Sequence, residues 1–273
     1  MLNHNSLLSL VQGVSQPRAA SLNVKIFADG ADLNAILELA KNPLIAGFTT
    51  NPTLMRKAGV QDYESFGREL TRAIPDRPFS FEVLSDDFDE MEQQALRIAG
   101  WGENVYVKIP ITNTRRQSAA PLIDRLSRQG VKVNVTALMT LDQVDAVIPS
   151  LRHGTPACIS IFAGRVADAG IDPLPILCGA LLRMRNHPQI ELIWASPREL
   201  FNIVQADNIG CHIITVTHDL LKKLPMLGRD LDQFSLETVR MFYDDARAAD
   251  FSLPVAQALL PANGRQASKR SLV

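Results

Sequence analysis

Val24-Lys25-Ile26-Phe27-Ala28-Asp29-Gly30-Ala31-Asp32 holds the first of eight short apolar runs, and the turn that ends it separates two architectures. The run is nearly continuous rather than alternating, which suits a parallel strand covered on both faces. In an open doubly wound sheet, such a strand would lead into a GxGxxG turn. Here the turn reads Ala28-Asp29-Gly30-Ala31-Asp32, and that fingerprint is missing. After the run at 24–29 come seven more, at 46–50, 79–83, 105–109, 131–136, 157–162, 190–195 and 212–216. Helix-like segments separate the later ones: 86–100, 117–130, 141–151, 173–186, 197–206 and, after the eighth strand, 217–224. The second closes on Gly130, a residue suited to a left-handed cap. Eight β-then-α units in succession predict an α/β fold, a closed (β/α)8 TIM barrel.

The expected layout is one barrel domain over 1–273, with its core at about 23–225. Residues before Asn23 read as an N-terminal extension with one helix, 235–249 as an extra C-terminal helix, and the small, polar residues from about 261 as a mobile tail. With 46% hydrophobic residues the chain can bury a sizeable core. A net charge of −1 gives no reason to expect nucleic acid or an anionic membrane as partner. Cys158, Cys178 and Cys211 form no CxxC pair, so they read as reduced, mostly buried thiols. The apolar run at 7–11 lacks a basic flank and is shorter than a signal-peptide core. No stretch approaches the roughly 20 residues of a membrane span. A cytoplasmic protein is expected; a homo-oligomer stays open.

Barrel active sites lie at the C-terminal strand ends, and here those ends are polar. They carry Asp29, then Thr49-Thr50-Asn51-Pro52, Glu82, Lys108, Asn134 with Thr136, Ser160 and Phe162 leading to Arg165, Ser196 followed by Arg198, and Thr215 with Thr217. Lys108 interrupts the apolar strand Val105-Tyr106-Val107-Lys108-Ile109-Pro110-Ile111. Desolvation disfavours an ammonium, and a neutral amine can attack a ketone to form an imine. The plainer alternative is a lysine that snorkels outward or pairs with a carboxylate. Asp29 and Glu82 are carboxylates able to divide acid and base roles, or simply to neutralise Lys108. Arg165, Arg198 and Ser196 read as an anion site, with Ser196-Pro197-Arg198 opening a helix whose amides favour phosphate; surface arginines without a ligand are the alternative. Asp86, Asp87, Asp89 and Glu90 suit a helix N-terminus. The histidines show no metal spacing, and no metal or cofactor is called for.

Four stretches together resemble transaldolase and its smaller relative, fructose-6-phosphate aldolase: Phe27-Ala28-Asp29-Gly30-Ala31-Asp32, Gly47-Phe48-Thr49-Thr50-Asn51-Pro52-Thr53, Val107-Lys108-Ile109-Pro110-Ile111-Thr112, and Ala195-Ser196-Pro197-Arg198. The resemblance spans about 24–224. It implies a ping-pong transfer of a dihydroxyacetone unit between sugar phosphates, with Lys108 as the Schiff-base lysine. It further implies Glu82 as an acid/base acting through a water that Thr136 orients, and Asp29 as the base for the C4 hydroxyl. Asn51 and Asn134 would hold the three-carbon fragment, Ser160 and Phe162 would line the pocket, and Arg165, Ser196 and Arg198 would bind phosphate. Glu82 and Phe162 match transaldolases, whereas the aldolases carry glutamine and tyrosine there. That favours transfer over a lyase that releases dihydroxyacetone. An inactive barrel kept as a binding protein is disfavoured, because the lysine, both carboxylates and the threonine are all present. Pro197 and Gly30 depart from the usual phenylalanine and threonine, which leaves the acceptor and sugar length open.

Overall fold

The computed structural model describes residues 19–253. The expected helix before Asn23 falls mainly outside them, as does the tail from about 261; a single 3-10 turn, Ala19–Ser21, precedes the first strand. The chain divides into two compact units, one ending at Gly228 and one beginning at Arg229.

The first unit is the (β/α)8 barrel. Strands β1 (Lys25–Asp29), β2 (Ile45–Thr49), β3 (Phe79–Glu82), β4 (Val105–Pro110), β5 (Val133–Leu138), β6 (Ala157–Ile161), β7 (Ile190–Trp194) and β8 (Ile213–Thr217) close in sequence order. Every neighbouring pair is parallel, β8 with β1 included. Around them run α1 (Leu33–Ala40), α2 (Pro52–Lys57), α3 (Tyr63–Ala73), α4 (Phe88–Ala99), α5 (Ala120–Arg128), α6 (Leu141–Val147), α7 (Ala163–Asp168), α8 (Leu174–Met184), α9 (Phe201–Asn208) and α10 (His218–Leu221).

Local chemistry starts many of these helices. Asp32, Asn51, Asp62, Asp87 and Thr140 each accept a hydrogen bond from an amide two or three residues on, satisfying donors that the first turn leaves unpaired. The turn after β1 is therefore built around a helix cap rather than a phosphate loop. Asp87 plays the helix-start role expected of the acidic cluster, while Asp86 instead accepts from the amide and hydroxyl of Thr114. Gly130 takes φ +80° after α5, the left-handed turn that its position predicts.

Burial follows the period-two alternation of strands. On β1, Ile26 and Ala28 join the large core between strands and helices, while Phe27 turns into the barrel. There it joins Cys158, Ile193, Ala195 and Ile213 in a smaller interior cluster. Two apolar faces explain why the strands read as continuous runs. On α5, Leu122, Ile123 and Leu126 are buried, each contributing about 1.5–3 kcal/mol. Trp101 and Trp194 are buried, as are Cys158 and Cys211, whereas Cys178 is exposed.

Some boundaries move. Strand β5 starts two residues later than the apolar run and reaches Leu138. Its pairing with β6 advances from Val135↔Ile159 to Leu138↔Ile161, so β5 carries one extra residue near Thr136. The helix expected from Pro197 starts only at Phe201. Ser196 adopts φ +61°, and the Asn202 side chain accepts from the amides of Arg198 and Glu199. The second unit contains α11 (Leu231–Ala248), which starts four residues before the expected 235 because Asp230 caps Gln233. No helix among the described residues is long and apolar enough to cross a membrane.

Candidate active site

Parallel register aligns Glu82 with Lys108 and Lys108 with Asn134 across β3, β4 and β5. Partners in register share a face, so all three point into the barrel toward the C-terminal strand ends. Lys108 does not snorkel: it is only 8% exposed, and its Nζ donates to Thr50 O at 2.8 Å and to Glu82 Oε2 at 3.2 Å. The other Glu82 oxygen, Oε1, lies 3.5 Å from Thr136 Oγ1, the outer limit of a hydrogen bond. The extra residue in β5 sits here, with Ala137 at φ +63°, and re-aims the strand end that carries Thr136.

Asp29 closes β1, with its Oδ1 accepting from Thr49 Oγ1 at 2.8 Å. The Thr49 hydroxyl also touches that of Thr215. With Asp29 ionised, Thr49 gives its one proton to that carboxylate and Thr215 donates to Thr49. Burial pushes the Asp29 carboxyl above its ordinary range; Lys108 and the Thr49 hydrogen bond pull it back in part, and Glu82 adds to the rise. Asn134 donates to Ser80 Oγ at 3.1 Å and accepts from Ser160 Oγ at 2.7 Å, so the fully buried amide is held at both ends. Asn51 spends its Oδ1 on capping α2, through Leu54 N at 3.0 Å, which leaves its amide NH2 as the group open to a ligand. Phe162 packs on the interior cluster at the entry to α7.

The anion candidates form a separate rim beyond β6 and β7. Arg198 Nη1 donates to Ser196 Oγ at 3.0 Å, while Nε grips Asp168 Oδ1 at 2.9 Å and Nη2 grips Asp168 Oδ2. That pairing holds Asp168 below the usual carboxylate range. Arg165 is exposed on α7. Gly164 permits the approach of α7 to this loop, since a Cβ there would stand 1.7 Å from Ser196 O. The helix that begins at Phe201 does not aim its first amides from Ser196; this corrects the expectation that Ser196-Pro197-Arg198 opens a helix.

Three neighbours of the site carry no role in the reading from sequence. Ser80 was legible, because it precedes Glu82 by two residues on one strand and so shares its face. Asp168 was legible too, three residues after Arg165 and so on the same face of α7, whereas Tyr63 had no such signal, since it reaches the site from a helix only through packing. The histidines stand apart: His153 stacks on His187 at 5.3 Å, and His212 Nδ1 accepts from Leu192 N at 3.0 Å. Among the described residues, no group of three or more His, Cys, Asp or Glu is placed to hold a metal.

The family model for Transaldolase/Fructose-6-phosphate aldolase matches residues 26–254. A probable transaldolase of Dehalococcoides mccartyi is 33% identical over 202 residues, covering 74% of this chain and 90% of that protein. One from a Thermoanaerobacter species is 32% identical over 215 residues, covering 77% and 95%. Among solved structures, a dihydrodipicolinate synthase from Rhodopseudomonas palustris superposes with a TM-score of 0.51 at 10% identity, over 86% of this chain and 82% of that one, a likeness of fold alone. The chain belongs to the transaldolase/fructose-6-phosphate aldolase family.

Proposed function

We propose that this chain is a transaldolase that carries a dihydroxyacetone unit as a Schiff base on Lys108. The observation that carries the reading is the buried Lys108 amine at the C-terminal end of β4, 3.2 Å from a Glu82 oxygen. The amine attacks the keto carbon of fructose 6-phosphate or sedoheptulose 7-phosphate. Glu82, through a water oriented by Thr136, moves the protons that turn the carbinolamine into an imine with loss of water. Asp29 takes the proton from the C4 hydroxyl, the C3–C4 bond breaks, and its electrons enter the imine to leave an enamine on the lysine. The aldose phosphate departs. A second aldose phosphate then accepts the enamine carbon, and hydrolysis frees the new ketose.

Asn134, held by Ser80 and Ser160, and the free NH2 of Asn51 are the groups suited to the hydroxyls of the bound fragment. Phe162 lines the pocket. Arg165, Ser196 and Arg198 bind the phosphate, with guanidinium forks matched to its oxygens. No cofactor takes part. Glutamate at 82 and phenylalanine at 162 favour transfer, since neither provides the glutamine–tyrosine pair of the lyase.

The test is intact-mass analysis after fructose 6-phosphate and borohydride. A reduced three-carbon adduct is expected on Lys108, absent from Lys108→Ala. With erythrose 4-phosphate as acceptor, glyceraldehyde 3-phosphate and sedoheptulose 7-phosphate should appear; without an acceptor, little free dihydroxyacetone should. An adduct on another lysine would overturn the assignment of Lys108, and efficient release of dihydroxyacetone without acceptor would make the enzyme a lyase.

A further inference from the structure

The seam between β2 and β3 opens beside Glu82. In a parallel ladder, the N–H and C=O of one residue face the same neighbouring strand, and successive residues alternate between neighbours. On β3, Phe79 N donates to Asn104 O at 2.9 Å, and just past it Val83 N donates to Lys108 O at 3.2 Å, both on the β4 side. Ser80 and Glu82 therefore face β2, and Ser80 O indeed accepts from Thr50 N at 3.3 Å. The next rung would join Glu82 N–H to Thr50 O, and an N–H of residue 52 to Glu82 O. It cannot form as such. Residue 52 is proline, with no N–H to give, and Thr50 O accepts from Lys108 Nζ at 2.8 Å.

The Tyr63 hydroxyl takes both vacant places. It accepts from Glu82 N at 2.8 Å and donates to Glu82 O at 2.9 Å. A phenol can do both, as it has a proton and lone pairs. Its ring is fixed edge-on against Phe81 (6.2 Å) and Trp101 (5.2 Å). Burial pushes the hydroxyl well above its ordinary range, so it keeps its proton at neutral pH.

We infer that Tyr63 is a positioning residue for Glu82, its hydroxyl standing in for the missing β2 rung and holding the glutamate against Lys108. The same opening serves two groups: it releases the Thr50 carbonyl to the lysine and leaves the Glu82 backbone to Tyr63. This inference rests on the acid/base reading of Glu82 given under the proposed function.

The test is Tyr63→Phe, which removes the hydroxyl and keeps the ring, measured alone and with Glu82→Gln. Alone, kcat for transfer from fructose 6-phosphate should fall roughly tenfold while KM stays within about twofold. In the Glu82→Gln background, with rates read from formation of the borohydride-trapped adduct, the same change should alter the rate by less than about twofold, as expected of residues acting as a unit. Equal losses in both backgrounds, or an unchanged kcat in Tyr63→Phe beside a slow Glu82→Gln, would overturn the role of Tyr63 and spare that of Glu82. A fully active Glu82→Gln would remove both. Should Tyr63→Phe fold poorly, residue-resolved amide exchange on the unaltered protein decides: the Glu82 amide should be protected, and exchange at the rate of an open amide overturns the inference.

Discussion

The barrel interior and the rim beyond β7 solve different problems with the same residue types. Inside, Lys108 and Glu82 form an ion pair with side chains 9% and 19% exposed, surrounded by Asn134, Ser80 and Ser160, each with a buried partner. At the rim, Arg198 and Asp168 also pair, but their side chains are 45% and 49% exposed. Water screens the second pair and leaves it worth little to stability; a phosphate can draw Arg198 away at small cost. The interior pair is held by neighbouring strands and shielded from water, so its geometry is set before any substrate arrives. Under the proposed function, bond chemistry belongs to the interior and recognition to the rim, and the contrast can be broken by experiment.

The largest expected effect is interior. Asp29→Asn keeps the size of the side chain and removes the proposed base, so kcat should fall by about 10²–10⁴-fold with little change in KM. Steady-state kinetics with fructose 6-phosphate and erythrose 4-phosphate check this; a KM effect in place of a kcat effect would put Asp29 among binding groups. At the rim the pattern should invert. Arg198→Ala removes a charge-assisted bond of about 1.5–3 kcal/mol, discounted by exposure, so KM for phosphorylated ketoses should rise about tenfold with kcat kept. Unphosphorylated fructose should be nearly indifferent, and equal losses on both sugars would erase the contrast.

The smallest effect sharpens the interior side. Thr49→Val removes the hydrogen bond that lowers the Asp29 pKa, so that pKa rises further above its ordinary range. A rate that needs ionised Asp29 is lost as pH falls through this pKa. The acid limb of the kcat/KM profile should therefore move to higher pH, with the plateau largely retained. A limb that stays in place would mean that another group governs it.

The barrel and much of the candidate site were legible in the chain itself. Continuous apolar runs reveal strands covered on both faces, and an ionisable residue inside such a run, as at Lys108, stands out because burying it is costly. Strand period alone puts Ser80 and Glu82 on one face of β3, whereas the register that brings Lys108 and Asn134 to that face appears only in the fold. Other features could not be read this way. The start of α9 at Phe201 rather than Pro197 depends on the left-handed Ser196 and on the Asn202 side chain folding back, a local competition that propensity does not resolve. Tyr63 reaches the site from a helix on which the sequence offers no other site residue. Above all, the linear chain records that residue 52 is proline, but not that the β2–β3 ladder opens there, that Thr50 O turns to Lys108, or that a tyrosine 19 residues before Glu82 closes the gap. Those outcomes depend on which backbone groups are left without partners once eight strands have closed, and hydrogen-bond satisfaction is a property of the folded whole.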